Sequence, residues 1–198
     1  MFTIKNYNQP EGVSLRFFQN YPTTFEVKGP MGKPLGVTPT GLHVCFAGGT
    51  GILPFMDLIG QLAFANLGLT EALGQPANDS IQPAKFKLRL YVSFQNKKES
   101  VGMELITALE FFCKKNGLDN FELHQRFSQE KINPARWDNS FIQRELCKGK
   151  PNEIHKILVC GPPVLNETFD RFFSNHGDDV RLSVINELTF RRDQIEVL

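Results

Sequence analysis

Phe46-Ala47-Gly48-Gly49-Thr50-Gly51-Ile52-Leu53-Pro54 closes a nearly continuous apolar run and opens a stretch of helical length. About a hundred residues later, Leu158-Val159-Cys160-Gly161-Pro162-Pro163 does the same. Glycines at a strand end let the chain turn sharply and let amide N–H groups approach an anion, while the following helix N-terminus adds partial positive charge. Two such strand-to-helix turns are what a doubly wound sheet needs to hold a phosphate-bearing nucleotide at its carboxyl edge.

Working outward, residues 42–47 suit a strand covered on both faces, and residues 52–66, apolar almost all round, predict a buried helix. A Gly, Pro, Asn, Asp and Ser-rich loop follows over 68–84, with a short helical turn expected at 70–73. Phe86, Leu88, Leu90, Val92 and Phe94 alternate with Lys87, Arg89, Tyr91 and Ser93, which predicts a strand with one wetter face. Residues 103–116 predict an amphipathic helix ended by Gly117. Strands are expected at 121–127, 157–160 and 180–185, and helices at 141–147 and 164–175, the last stopping near Gly177. The charged patch Arg191, Arg192 and Asp193 in the last dozen residues reads as a solvated tail. Strands alternating with helices give an α/β fold: a doubly wound parallel sheet of about five strands with helices on both faces.

That domain is expected over residues 41–198. Residues 1–40 hold five of the twelve prolines, which confine a chain to edges, turns and extended connections, so this part cannot close a core alone. Its β-like runs at 14–18 and 24–28, followed by a turn at 29–34, look like the end of a β-domain.

The 198 residues, 41% hydrophobic and 22% charged, bury one good core. A net charge of +1, from 22 basic and 21 acidic side chains with no basic block longer than a pair, lacks the footprint of a nucleic-acid binder. No apolar stretch approaches the ~20 residues that span a bilayer, and the N-terminus lacks a secretory pattern. Any membrane association is therefore expected to run through a partner. Cys45, Cys113, Cys147 and Cys160 form no Cys-x-x-Cys pair, which points to a reduced intracellular compartment, cytoplasmic or organellar. His43, His124, His155 and His176 neither pair at ligand spacing nor cluster with cysteine, so no metal site is expected.

The first glycine turn is not a Walker loop, since no Gly-Lys-Ser/Thr follows. Gly49 and Gly51 match two glycines of the Gly-x-Gly-x-x-Gly fingerprint, and Pro54 stands where a first helical turn needs no N–H. Thr50 adds a hydroxyl. In the second turn Gly161 permits close approach of a flat ring, Pro162 and Pro163 stiffen the entry to a helix, and Cys160 falls at the carboxyl edge. The bland alternatives are a tight turn and a packed small hydrophobe; two turns on one edge favour a ligand.

The pair Ala-Gly-Gly-Thr-Gly-Ile-x-Pro and Cys-Gly-Pro-Pro resembles the ferredoxin–NADP reductase superfamily, more closely its NADH–cytochrome b5 reductase branch. Gly29-Pro30-Met31-Gly32 resembles the turn joining that family's flavin barrel to its nucleotide domain, and Gly12-Val13-Ser14 its late flavin-domain motif. The resemblance implies that residues 1–40 are a short remnant of a flavin-binding β-barrel and its linker. It further implies that Gly48, Gly49, Thr50, Gly51 and Pro54 hold the dinucleotide. Cys160, as the catalytic residue, with Gly161, Pro162 and Pro163 would line the nicotinamide side, and Ser14 would touch the FAD pyrophosphate. Gln95 and Glu99 fall where the adenosine ribose is read: an acidic group favours the free 2′-hydroxyl of NADH, and basic groups such as Lys97 and Lys98 favour the 2′-phosphate of NADPH. Alignment of Glu99 with the family's acidic position favours NADH.

Departures accompany the likeness. The Arg-x-Tyr-Ser/Thr flavin motif is absent, Leu53 replaces a Thr, and the chain ends Glu-Val-Leu rather than on a flavin-covering aromatic, Phe190 being the nearest. FAD is therefore expected to be held mainly by a domain or partner outside this chain, either lost by excision or docked separately. The implied activity is hydride transfer from NAD(P)H to FAD, with electrons passed on to a haem, iron–sulfur or quinone acceptor. Two rivals stay open: a non-catalytic nucleotide-binding or structural subunit that kept the fold, and a transferase using His155 as base.

Overall fold

The computed structural model describes residues 26, 34–70, 80–130, 137–148, 153–174, 182–185 and 188–198. The chain divides between residues 34 and 35 into two compact units, and every element below belongs to the second. The runs expected at 14–18 and 24–28 and the turn at 29–34 fall almost wholly outside the described residues, as do most of the turn at 70–73 and Gly177.

β1 (Gly41–Gly48) leads through a 3-10 turn (Gly49–Ile52) into α1 (Leu53–Asn66). β2 (Phe86–Phe94), α2 (Met103–Lys115), β3 (Phe121–Phe127), α3 (Asn139–Leu146), β4 (Ile154–Cys160) and α4 (Pro163–Ser174) follow. A parallel five-stranded sheet runs β3-β2-β1-β4-β7, where β7 is Ile195–Val197. Each β1 side chain faces the layer opposite to its neighbour's, as the pleat requires. Cys45 and Ala47 join Leu88, Leu90, Val92 and Leu158 beneath α1 and α2, whereas Val44 and Phe46 join Tyr91, Ile157 and Val159 beneath α3 and α4. Helices thus cover both faces of a doubly wound sheet, as the alternating pattern predicts.

Three expectations change. α1 buries one face only, through Phe55, Leu58, Ile59, Leu62 and Ala65, and leaves Pro54, Asp57 and Phe64 exposed. The face of β2 that reads as wetter is buried at Arg89 and Tyr91, with Lys87 exposed and Ser93 half-buried. Tyr91 stacks between Phe46 and His124, at ring separations of 4.7 and 4.6 Å, and its hydroxyl donates to Glu145 Oε2 at 2.8 Å. Arg89 donates to Glu122 Oε2 at 2.7 Å and to the Glu145 carbonyl at 3.3 Å. A satisfied polar layer under α3 therefore takes the place of solvent, because each charge finds a partner. Burial disfavours ionisation of Glu145, yet Lys148, Tyr91 and Arg144 outweigh it and lower its pKa. His124, 2.6 Å away, and Arg89 hold Glu122 down to about 2 against the opposing effect of burial.

The third correction concerns the C-terminus. Leu182–Ile185 (β5) is not in the main sheet; it pairs antiparallel with Leu188–Arg191 (β6). The fifth strand comes from the segment read as a tail: β7 pairs with β4, Glu196 meets Lys156 at 3.1 Å, and Gln194 Nε2 donates to the Ile154 carbonyl at 2.8 Å. Phe190 is buried in the core beneath α4, so it is not free to cover a ring.

At the amino edge His43 is fully buried, stacked on Phe86 at 4.9 Å, with Nε2 donating to the Thr40 carbonyl at 3.2 Å and Nδ1 unpartnered. Burial, abetted by His155 and Lys156 and opposed by the Thr40 and Thr38 hydrogen bonds, lowers its pKa from 6.5 to about 4. The unfolded chain then binds the extra proton between those values, so stability is complete above pH 6.5 and falls as the pH drops toward 4. The loss should reach about 3 kcal/mol, measured as urea midpoint against pH. His43→Phe, which keeps the stack, should abolish that limb; an unchanged limb would show that another group drives it.

Candidate functional site

In this strand order the chain goes from β1 outward to β2 and β3, then returns to place β4 on the other side of β1. The carboxyl ends of β1 and β4 form the point where connections diverge to opposite faces, and ligands bind there in open α/β sheets. Both glycine turns lie at this point.

The turns pack on each other. A Cβ on Gly51 would sit 2.1 Å from the Cys160 carbonyl oxygen and 2.8 Å from Gly161 Cα. One on Gly48 would lie 2.9 Å from Pro162 Cδ and 3.0 Å from Leu165 Cδ2, and one on Gly161 would lie 2.5 Å from that same Leu165 atom. Three glycines are thus accounted for by turn-on-turn contact before any ligand is considered. Gly49 differs: its φ is 55°, and nothing lies within 4 Å of where a side chain would begin. The open space adjoining the edge is therefore at Gly49.

Gly48, Gly49, Thr50, Gly51, Cys160, Gly161 and Pro162 are thus brought together. Thr50 is half-buried, and its carbonyl accepts from the Leu53 N–H as the 3-10 turn passes into α1. Pro54 is exposed in the first turn of α1. Pro162 accepts from the N–H groups of Leu165 and Asn166 at 2.8 and 3.2 Å, so it starts α4, and Pro163 fills the first helical position without wasting a donor. The starts of α1 and α4 converge on one edge and favour an anion there. The Cys160 side chain is half-buried and packed against the core layer beneath α1 and α2, and burial raises its pKa, which disfavours a thiolate there. Ser14 lies outside the described residues.

Gln95 and Glu99 follow β2, whose Ser93 is register partner to Gly48, so both lie one strand from the glycine turns. Sequence reasoning missed what controls them. Asn96 Oδ1 accepts from the N–H groups of Lys98 and Glu99 at 3.0 and 3.2 Å, capping a 3-10 turn over Lys97–Glu99, and its Nδ2 donates to Glu99 Oε1 at 3.2 Å. The signal was present as Asn-x-x-Glu, the spacing of a capping box. Leu165, wedged against Gly48 and Gly161, was also missed; nothing in its sequence context marks it.

Among the described residues no group of three or more His, Cys, Asp or Glu could hold a metal ion, and no helix is long and apolar enough to cross a membrane. No family model and no curated protein matches the chain. Solved structures do. The CS-b5R domains of human Ncb5or, in an NAD⁺ form, share 13% identity at a TM-score of 0.54, covering 80% of this chain and 37% of that one. Flavohemoglobin from Malassezia yamatoensis, with bound FAD and heme, shares 17% at 0.56, covering 96% and 41%. The chain thus has a fold found within both and spans less than half the length of either.

Enlarging the two inner glycines should separate their roles. Gly51→Ala, driven into backbone, should cost about 3 kcal/mol or more or prevent folding, whereas Gly49→Ala should cost about 1 kcal/mol for its left-handed backbone alone. Thermal melts of the two variants decide it: equal losses would mean that the turns do not pack as described.

Proposed function

We propose that this chain is the pyridine-nucleotide-binding part of a flavin-dependent NAD(P)H oxidoreductase. The observation that carries the reading is the meeting of the two glycine turns at the β1/β4 switch point, with Gly49 facing open space. A pyrophosphate fits there: amide groups of the turn and the Thr50 hydroxyl would hold it, with the start of α1 behind them. Cys160, Gly161 and Pro162 would line the nicotinamide, Pro54 and Pro163 would fix the two helix entries, and Gln95 to Glu99 would meet the adenosine ribose.

When bound, the nicotinamide supplies a hydride and FAD accepts it, while the protein contributes position and exclusion of water. The neutral Cys160 thiol suits such a lining role, since hydride transfer asks for no charged nucleophile at that place. FAD would be held mainly by a domain or subunit beyond residues 35–198, with Ser14 as a contact, and the electrons would pass to a haem, iron–sulfur or quinone acceptor. The human structure in its NAD⁺ form and the flavohemoglobin with FAD and heme support these classes of ligand and partner.

Titration calorimetry of the 198-residue chain with NADH and NADPH tests the reading. Gly49→Asp and Gly49→Asn both tolerate the left-handed backbone and differ in one charge. The aspartate should weaken binding at least about tenfold beyond the asparagine, through repulsion of the pyrophosphate. Equal affinities in the two variants would remove the anion from this turn and the proposal with it.

A further inference from the structure

We infer that the site takes the 2′-phosphorylated dinucleotide, NADPH, in preference to NADH, and that Asn96 sets this choice by drawing the Glu99 carboxylate out of the ribose position. The inference rests on the nucleotide-domain reading above and departs from the expectation of NADH drawn from the sequence.

The argument begins with reach. Gly48 and Ser93 are neighbours across the β1/β2 ladder, and adjacent strands lie about 4.8 Å apart. A ribose joined to a pyrophosphate at the Gly49 turn therefore arrives over residues 95–99. Three charged side chains stand there, all exposed: Lys97, Lys98 and Glu99. Glu99 alone would suit a free 2′-hydroxyl, which needs an acceptor.

Its carboxylate is committed elsewhere. Asn96 uses both ends of its amide: Oδ1 fixes the backbone of Lys98 and Glu99, and Nδ2 holds Glu99 Oε1 at 3.2 Å and Gln129 Oε1 at 3.4 Å. Gln129 is anchored in turn, its N–H bonding the Gln95 carbonyl at 3.0 Å. The loop is closed on its other side by Ser100 Oγ, which donates to the Lys97 carbonyl at 2.5 Å. Glu99 is thus tied toward the β3 side of the loop, away from β1.

Among the described residues neither Lys97 nor Lys98 is paired with a carboxylate. Of the other acidic groups near the loop, Glu130 follows β3 and so stands on the far side of β2 from the glycine turns, and exposed Glu104 lies in the first turn of α2. The loop thus offers two exposed ammonium groups, which suit a 2′-phosphate carrying about −1.5 to −2 charges.

The test is calorimetry of the full chain with NADP⁺ and NAD⁺, in the wild type, in Lys97→Ala/Lys98→Ala and in Glu99→Gln. NADP⁺ should bind at least about tenfold more tightly than NAD⁺, and the advantage should shrink as ionic strength rises. The double lysine variant should bring the two near parity. Glu99→Gln should change the ratio by less than about threefold. Equal or tighter binding of NAD⁺ overturns the inference, as does a shift of about tenfold toward NADP⁺ in Glu99→Gln, since the carboxylate would then have been reading the ribose. If neither nucleotide binds, the nucleotide-domain reading fails and takes this inference with it. Binding without preference leaves that reading standing and overturns this one alone.

Discussion

The backbone contact between the turn after β1 and the turn after β4 is the constraint on which the rest of the architecture depends. Gly51 lies against the Cys160 carbonyl so closely that a methyl group would overlap it. The spacing of the two strands is already fixed by their ladder from Leu42 to Ala47, so the turns have nowhere to retreat. With the contact in place, β1 can be flanked by β2 on one side and β4 on the other while α1 and α4 leave the same edge toward opposite faces. Without it the strands would splay at the end where the helix starts converge.

The two layers joined by that sheet are built differently. The layer beneath α1 and α2 is almost wholly aliphatic and phenylalanine, and it needs only volume to be filled. The layer beneath α3 and α4 carries Phe46, Tyr91 and His124 as a stack across three strands, and then Glu145, Arg89 and Glu122 as a charged margin. Removing Glu145 would leave the buried Tyr91 hydroxyl without its acceptor, at a cost of about 1–3 kcal/mol. That margin fixes where α3 sits, and α3 is the return path that brings β4 beside β1. A polar network on one face thus supports the glycine contact at the edge.

Much of this was legible. β3 has the bounds its pattern predicts, β1 and β2 follow from continuous or alternating apolar residues, and both turns were visible as glycines ending strands. The misreadings share a cause. Arg89 and Tyr91 look solvent-facing until Glu145 and Glu122, distant in sequence, satisfy them. Residues 182–185 have a strand's composition, but a partner three residues further on captures them into a hairpin, a local pairing that a long crossover cannot rival in closure entropy. β7 is three residues with a glutamate at its centre, too short and too polar to read as a strand until Glu196 meets Lys156 of β4. In each case a partner outside the segment, distant for Arg89, Tyr91 and Glu196 and adjacent for residues 182–185, supplied what the segment's own pattern could not.

The same reasoning bears on what a glycine-rich motif says about a ligand. A glycine leaves room for a bound group only where packing does not already fill the space beside it. Gly48, Gly51 and Gly161 are required by each other and by Leu165, so they would be glycines in a scaffold that bound nothing. Gly49 needs its conformation, with φ at 55°, but no packing contact: it alone of the four has no protein atom within 4 Å of where a side chain would begin. On the proposed function, the part of the motif that would meet a ligand is therefore smaller than its length: Gly49 and Thr50 at the turn, and residues 95–99 one strand away. On that reading few side chains would meet the ligand at this edge, held in place by glycines whose work is structural.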